Sequence, residues 1–198
     1  MGSLTLRQFR SPLLEPIDLH LQAGECQTIS GPSGSGKTRL LRALADLDPV
    51  QGEVLLNDQE RSTFSAPQWR SKVGLLLAES GWWLERVGDH FKQPEIELFE
   101  RLELPAEAIN WEVNRLSSGE RQRLSLIRLL SNQPQVLLLD EATSNLDQAN
   151  TTKVEALITD WRKQHQVAVL WVSHDPQQRQ RVSDRNWLIE SGRLREEA

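Results

Sequence analysis

Short apolar runs alternate along this chain with segments whose apolar residues recur at helical spacing. Residues 4–21 predict two short strands around a turn at Ser11-Pro12, and residues 187–195 predict a hairpin around Ser191-Gly192. Further strands are predicted at residues 26–30, 52–56, 72–77, 135–139 and 167–172. Helices are predicted at residues 39–47, 124–130 and 150–163. Because strands alternate with helices, the predicted fold class is α/β with a largely parallel sheet.

A segment near the middle of the chain departs from this alternation. It covers about residues 79–132 and contains Pro94, Pro105, many charges and helical spacing at Ile96, Phe99 and Leu102. We expect a small helical subdomain here, inserted into an α/β core formed by about residues 1–78 and 133–198. Residues 1–198 would then make a single domain.

Composition narrows the class of protein. The chain has 198 residues, 38% hydrophobic and 26% charged, as in a globular domain. No apolar run approaches the roughly 20 residues that a membrane-spanning helix needs. The net charge of −5 argues against a nucleic-acid partner, because such binding depends on neutralising phosphates. Cys26 is the sole cysteine, which excludes a disulfide framework and fits a reducing cytoplasm.

A glycine-rich loop follows the strand predicted at residues 26–30. Its sequence fits G-x-x-x-x-G-K-[ST] and reads Gly31, Pro32, Ser33, Gly34, Ser35, Gly36, Lys37 and Thr38. Glycines allow backbone N–H groups to face phosphates, and the helix that follows directs its positive end toward them. Lys37 is expected to reach the β- and γ-phosphates, and the Thr38 hydroxyl to ligate Mg²⁺. The alternative is a tight glycine turn before a helix.

A second motif is the apolar strand predicted at residues 135–139, which ends in Asp140 and Glu141. This is the Walker B pattern, in which Asp140 would hold Mg²⁺ through water and Glu141 would orient or deprotonate the attacking water. The alternative is a buried strand followed by two acidic residues.

The segment Leu116-Ser117-Ser118-Gly119-Glu120-Arg121-Gln122-Arg123 is the narrowest signal in the chain. Ser117 and Glu120 form the S-x-x-E pattern of a capping box, which predicts a helix start. A capped helix N-terminus is also a site for anions, so the structural and functional interpretations are compatible.

These motifs occur in one order, and over about residues 4–194 the chain resembles an ABC ATPase, the ATP-driven part of an ABC transporter. The resemblance implies a P-loop NTPase fold with a RecA-like, mostly parallel sheet, an N-terminal antiparallel β-subdomain and the helical subdomain. It implies ATP and Mg²⁺ as cofactors. It also implies a head-to-tail homodimer on ATP binding and an integral-membrane permease as partner, with the chain on the cytoplasmic face of the inner membrane.

The resemblance also assigns residues. Ser117 and the backbone near Gly119 would touch the γ-phosphate of ATP bound to the opposite subunit. Ser118 replaces a glycine of the usual pattern, and a serine should be tolerated there if its backbone stays at negative φ. Residues 144–147 resemble the D-loop at the dimer interface. His174 would hydrogen-bond the γ-phosphate and the attacking water. Arg39 stands where a second hydroxyl usually touches the α-phosphate, which leaves that contact in doubt. Phe9 would stack on adenine, or else belong to the core.

The sharpest departure from the family follows the strand predicted at residues 72–77. The family usually has a glutamine there that ligates Mg²⁺ or the attacking water, but this chain has Ala78, followed by Glu79. We expect Glu79 to approach the metal in the ATP-bound dimer if the strand end shifts by one residue. The alternative is that this chain lacks a side chain that ligates Mg²⁺ or the attacking water at this position, and that its hydrolysis of ATP without permease is slow.

The next residues suggest where a permease docks. Five apolar side chains follow the same strand, namely Trp82, Trp83, Leu84, Val87 and Phe91. Some of them would line an exposed apolar groove for the permease's coupling helix, since such patches mark partner sites. The alternative is that they form the core of the helical subdomain.

Two classes of ABC protein are open to a chain with these motifs. A transporter subunit is favoured over a soluble ABC ATPase of DNA repair, chromosome structure or translation, because residues 38–116 have no room for a long coiled coil and the chain has one cassette. A monomeric P-loop kinase would not need Leu116–Glu120. Residues 167–175 and 124–128 look similar to the ATP-binding subunits of Fet-type iron exporters, although heme-exporter or lipoprotein-release ATPases would look much alike.

Overall fold

The computed structural model describes residues 2–197, which form two β-sheets and six α-helices. The strands are β1 (Leu4–Ser11), β2 (Leu14–Leu21), β3 (Cys26–Ser30), β4 (Gln51–Leu56), β5 (Gln59–Glu60), β6 (Val73–Leu76), β7 (Val136–Asp140), β8 (Ala168–Val172), β9 (Arg185–Glu190) and β10 (Arg193–Glu197). The helices are α1 (Lys37–Leu44), α2 (Ala66–Lys72), α3 (Ile96–Arg101), α4 (Ser118–Leu130), α5 (Gln148–His165) and α6 (Pro176–Val182).

The larger sheet has the strand order β10-β9-β3-β8-β7-β6. Its pairings from β9 to β6 are parallel, and only the β9–β10 hairpin is antiparallel. The smaller sheet, in the order β2-β1-β4-β5, is antiparallel throughout. Both features of the predicted fold class, a mostly parallel core and an N-terminal antiparallel sheet, are therefore confirmed.

Two apolar clusters cover the two faces of the parallel sheet. Along β7, Leu137 and Leu139 pack into one cluster, with α4 and α5, while Val136 and Leu138 pack into the other, with α1. Successive strand residues point to opposite faces, so a strand buried on both sides is apolar throughout. This burial explains the continuous apolar runs in the sequence.

The segment between β6 and α4 is less helical than the sequence predicts. It contains α3 and short 3₁₀ turns, and the rest is turn or irregular. Phe99 and Leu102 are fully buried, whereas Ile96 is 41% exposed. The helical spacing thus identified α3 correctly, but glycine, proline and polar residues divide the rest of the segment into short turns.

Two helices are absent from the prediction. Helix α2 begins with a capping box in which Ser65 and Gln68 exchange hydrogen bonds, and α6 begins with Asp175 as N-cap and Pro176 in the first turn. Both are start signals that the sequence carries. Each helix buries only one apolar side chain, Trp69 in α2 and Val182 in α6, so neither shows an apolar period.

Candidate functional site

The glycine-rich loop joins β3 to α1 at the carboxyl edge of the parallel sheet. Gly36 is the N-cap of α1, with φ of 102°, and Gly31 has φ of 143°. A Cβ atom at Gly31 would lie 2.2 Å from the carbonyl oxygen of Ile189. Only glycine fits there, because β10 and β9 bring their hairpin against the start of the loop.

Lys37 closes over the loop from the first turn of α1. Its Nζ atom donates hydrogen bonds to the carbonyl oxygens of Gly31 at 2.8 Å and Pro32 at 2.9 Å. Burial lowers the pKa of Lys37, while the charges of Glu141 and Asp140 act in the opposite direction. The Ser35 hydroxyl is buried beside the loop without a hydrogen-bond partner in the described residues. The loop therefore gathers a cation and a free hydroxyl, both suited to an anion.

Asp140 ends β7 and is only 5% exposed. Burial raises the pKa of its carboxyl, and a hydrogen bond from the Thr38 side chain lowers it. Thr38 belongs to α1 and Asp140 to the sheet, so the fold brings two oxygen donors from the two motifs together. Oxygen donors of this kind, completed by phosphate oxygens and water, are what Mg²⁺ prefers.

Glu141 lies directly after β7 in a left-handed conformation, with φ of 49°. Its Oε1 atom is 3.1 Å from Nε2 of His174. The two residues meet because β7 and β8 are neighbours in register, with Asp140 opposite Val172, and Glu141 N–H donates to the Val172 carbonyl. A left-handed glutamate costs energy, and such conformations concentrate at functional sites.

The position of His174 is set by the start of α6. The Asp175 side chain caps that helix by accepting from the Gln177 N–H at 2.9 Å, and the Asp175 N–H donates to the Ser173 hydroxyl at 3.2 Å. His174 is therefore held in a short turn between β8 and α6 rather than on a free loop. Helix α6 is the part of this support that the sequence analysis missed.

The capping box expected at the start of α4 is present. The Ser117 hydroxyl accepts from the Glu120 N–H, and the Glu120 carboxylate accepts from the Ser117 N–H and hydroxyl. The Ser117 side-chain and backbone hydrogen bonds lower the pKa of Glu120. Ser118 lies in α4 and is not among the described residues of positive φ. The replacement of glycine by serine at this position therefore causes no backbone strain.

Space remains beside Gly119. A Cβ atom built there would meet only Leu146 Cδ2 at 3.4 Å and the Asn145 carbonyl oxygen at 3.5 Å, which are ordinary contacts. Both neighbours belong to the segment expected to be the D-loop. The packing of this chain thus does not itself demand a glycine at position 119.

Glu79 is exposed and lines a cavity of about 430 Å³ together with Ser118, Gln122 and Asn145. Asp140 is not among the residues that line the cavity to which Glu79 contributes. Within residues 2–197 no three His, Cys, Asp or Glu side chains are grouped as metal ligands. The approach of Glu79 to a metal, expected for the ATP-bound dimer, stays a prediction.

Phe9 is not available for adenine. Its side chain is fully buried in the cluster between the antiparallel sheet and α1, so no ring face is open to a base. The alternative interpretation, Phe9 as core, is the one the structure supports. Arg39 is exposed on α1 and lines a cavity of about 450 Å³ with Ser11 and Pro12.

The apolar residues after β6 divide between core and surface. Val87 is fully buried, whereas Trp83 is 72% exposed and Leu84 is 42% exposed. The guanidinium of Arg128 lies 4.4 Å from the Trp82 ring centre and 5.2 Å from that of Trp83. Nε2 of His90 accepts from the N–H groups of Trp83 and Leu84, both at 3.0 Å. These contacts hold the two tryptophans in place.

Trp83 and Arg128 border a cavity of about 340 Å³, which Leu75, Leu77 and Leu129 also line. A positively charged side chain thus stands beside apolar ones in an open groove. In the described part of the chain, no helix has the length and apolar character needed to cross a membrane.

Similar sequences and structures are known. The family model described as "ABC transporter" matches residues 14–144. The chain is 37% identical over 176 residues to the "Probable iron export ATP-binding protein FetA" of Escherichia coli K12, covering 82% of this chain and 78% of that protein. It is 31% identical over 218 residues to the phosphate import ATP-binding protein PstB of Aeropyrum pernix, covering 92% and 82%.

The fold is also that of solved ATP-binding cassettes. A dimeric cassette in a post-hydrolysis state, bound to ADP and Pi, superposes with a TM-score of 0.84 at 23% identity, covering 100% of this chain and 98% of that chain. At this level of identity the superposition shows a shared fold.

Proposed function

The chain belongs to the ABC transporter family, and we propose that it is the ATP-binding and ATP-hydrolysing subunit of a transporter whose permease is a separate chain. The observation that carries this proposal is the convergence of Lys37, Asp140, Glu141 and His174 at one edge of the parallel sheet. Ligands of open α/β sheets bind at the carboxyl ends of the strands, where these four residues lie.

The triphosphate occupies the loop before α1. Lys37 exchanges its contacts with the Gly31 and Pro32 carbonyl oxygens for the β- and γ-phosphates. The buried Ser35 hydroxyl and the backbone N–H groups of the loop complete the phosphate contacts. This exchange costs little, because an ammonium released from two neutral acceptors gains two charged ones.

Thr38 and, through water, Asp140 would hold Mg²⁺. When bound, the metal neutralises charge on the phosphate oxygens. Thr38 and Asp140 suit this role because both are oxygen donors within hydrogen-bond contact and Asp140 is shielded from bulk water.

Glu141 and His174 act on the attacking water. Their side chains approach to 3.1 Å at the carboxyl ends of the neighbouring strands β7 and β8, close enough for one water molecule to contact both. Glu141 orients the water or accepts its proton, and His174 hydrogen-bonds the γ-phosphate oxygen and the same water. The backbone of Glu141, held by the Val172 carbonyl, keeps the carboxylate aimed.

A second copy of the chain completes each site. Ser117 and Gly119 lie at the N-terminus of α4, where the helix presents free N–H groups and partial positive charge. Because the packing of this chain leaves room at Gly119, the glycine is explained by the close approach of a γ-phosphate held by the opposite subunit. ATP therefore joins two chains head to tail, and each nucleotide is shared by one loop and one partner α4.

The permease docks on the groove beside Trp83 and Arg128. Support comes from the exposure of Trp83 and Leu84 and from the apolar groove that leads back to β6, next to Ala78 and Glu79. About residues 79–132 would then act as a subdomain inserted in the α/β core 1–78 and 133–198, and would carry the docking face. This docking would hold the chain on the cytoplasmic face of the inner membrane.

Metal export, with iron as the first candidate substrate, is the most specific part of the proposal. Its support is the likeness to FetA, while the likeness to PstB, an import protein, makes the direction a matter for experiment. Deleting the gene from its host should raise cell iron and sensitivity to added iron, and leave phosphate uptake unchanged. Unchanged iron content would contradict iron export without affecting the ATPase assignment.

The ATPase and the transporter assignments are tested separately. The purified chain should hydrolyse ATP in a Mg²⁺-dependent reaction, and Lys37→Ala should lose most of its ATP affinity. Affinity-tagged chain from the membrane fraction should co-purify with a hydrophobic partner, and crosslinking from position 83 should reach that partner. An active ATPase recovered without any membrane partner would favour a soluble ABC ATPase instead.

A further inference from the structure

Helix α6 begins two residues after His174, and little apolar packing holds it in place. Val182 is its one buried apolar side chain. Gln178 in the same helix is only 3% exposed, so α6 also turns an amide into the protein. Burying an amide costs free energy unless it is hydrogen-bonded. The partners of Gln178 therefore indicate what positions α6.

The side-chain amide of Gln178 joins α6 to two other parts of the chain. Its Nε2 atom donates to the Thr143 hydroxyl at 2.8 Å and to Oε1 of Glu155 at 3.0 Å. Glu155 lies in α5 and is only 6% exposed. Because an ionised carboxylate only accepts hydrogen bonds, Glu155 fixes which end of the amide faces it. The second N–H of the same nitrogen is thereby directed to Thr143, in the turn after β7.

Glu155 is itself held firmly. Arg181 donates from Nε to Oε2 of Glu155 at 2.9 Å and from Nη2 to Oε1 at 2.7 Å. Two parallel bonds of this kind fix the plane of a carboxylate as well as its position. The neighbouring α5 residues Val154 and Leu157 are buried in the apolar cluster that covers the parallel sheet. Gln178 is therefore anchored to the body of the protein rather than to another loop.

The two segments that Gln178 joins carry the side chains proposed to act on the attacking water. Thr143 lies two residues after Glu141, and Gln178 lies four residues after His174. The side chains of Glu141 and His174 are 37% and 49% exposed, so surrounding packing restricts neither of them tightly. Beyond the ends of β7 and β8, the bond between Gln178 and Thr143 joins their two backbones again. Supporting hydrogen bonds of this kind keep reacting groups in productive geometry.

We propose that Gln178 is a positioning residue, which through its bond to Thr143 holds the Glu141 carboxylate and the His174 imidazole at the separation that hydrolysis requires. This inference rests on the proposed function, since it assumes that Glu141 and His174 act on the attacking water. It concerns the chemical step and not the binding of ATP, because the phosphate loop lies between β3 and α1. Misplacing a reacting group by about 1 Å slows a reaction on the order of 100-fold, so a smaller shift should cost about tenfold.

Steady-state hydrolysis of ATP, which separates kcat from KM, tests this role. Thr143→Val keeps the shape of the side chain but removes the acceptor, and should lower kcat about tenfold while KM stays within about twofold. Thr143→Ser keeps the hydroxyl and should restore kcat to within about twofold of the wild type. Gln178→Met should match Thr143→Val. The double variant should fall no further, because both changes remove the same bond.

Thr28→Val is the matched control for lost stability. The Thr28 hydroxyl, fully buried on β3, donates to Oδ1 of Asn186 at 2.6 Å, so the variant also loses one buried hydrogen bond. Its melting temperature should fall and its kcat should not. The inference is overturned if Thr143→Val keeps the wild-type kcat, if Thr143→Ser is equally impaired, or if Thr28→Val loses as much kcat.

Two further outcomes are distinguishable. If Gln178→Met does not fold, the comparison of Thr143→Val with Thr143→Ser decides the question alone, because neither touches the pair of Glu155 with Arg181. A wild-type chain without Mg²⁺-dependent hydrolysis would overturn the proposed function, and this inference with it.

Discussion

Gly119→Ala, which adds a single methyl group, should leave the folding of this chain intact and strongly slow its hydrolysis of ATP. Gly119 is the second residue of α4, and a Cβ atom there would make only van der Waals contacts with Leu146 and Asn145, at 3.4 and 3.5 Å. Gly119→Ala should therefore fold normally. In the closed dimer the same methyl group would occupy the space that the γ-phosphate of the opposite subunit needs.

The magnitudes follow from these two environments. Alanine in place of glycine inside a helix stabilises it by up to about 1 kcal/mol, and near the first turn we expect about half of that. For a domain of this size the melting temperature should rise by about 2 °C. Loss of one phosphate contact made in the transition state should lower the hydrolysis rate on the order of 100-fold. Binding of ATP to the monomer should not change.

Three measurements decide this prediction: thermal unfolding, ATP titration and steady-state hydrolysis. Thr152→Ala is the matched control, because it replaces an exposed residue near the start of α5 with the same helix former, and Thr152 is not among the residues proposed to contact nucleotide or permease. It should be slightly stabilised and fully active. Normal hydrolysis by Gly119→Ala would refute the shared site, and destabilisation would refute the open space beside Gly119.

Three further predictions concern other parts of the site. Glu141→Gln should bind ATP, hydrolyse it very slowly and accumulate as a dimer; a monomer in sedimentation at saturating ATP and Mg²⁺ would contradict the head-to-tail assembly. Glu79→Ala should weaken the Mg²⁺ dependence of hydrolysis. If Glu79→Ala leaves the hydrolysis rate and its Mg²⁺ dependence unchanged while Ala78→Gln raises the rate, the chain lacks the ligating side chain at this position. Glu120→Ala should destabilise the chain by about 1 kcal/mol in chemical unfolding at neutral pH. Because the folded-state pKa of Glu120 is lowered, this difference should be present above the ordinary pKa of glutamate and vanish as pH falls through the lowered value, and a pH-independent difference would contradict the ionised capping box.

Motifs whose residues lie close together in the chain could be identified from the sequence. The loop before α1 and the capping box of α4 depend on backbone geometry and on side chains up to six residues away, so their residue types alone identify them. Apolar runs likewise identified the buried strands, because a strand covered on both faces has to be apolar throughout. The helices α2 and α6 also carried local cap signals, but each buries only one apolar side chain and so shows no apolar period.

Tertiary structure decided which side chains of β1 point into the core. Strict alternation from Leu4 and Leu6 would turn Phe9 outward, as its proposed role in adenine stacking required. Instead the register with β2 shifts between Leu6 and Phe9, around Gln8 at φ of 47°, and Phe9 turns into the core. A shift of one residue reverses the face of every later side chain.

The sequence by itself determined which chemical groups this protein carries and which backbone each needs, because those requirements are local. Only the tertiary structure decided which groups meet. Glu141 and His174 come together through the pairing of β7 with β8, and Gln178 of α6 reaches Thr143 in the turn after β7. Such contacts join residues far apart in the chain, so they follow from strand order and packing rather than from residue type.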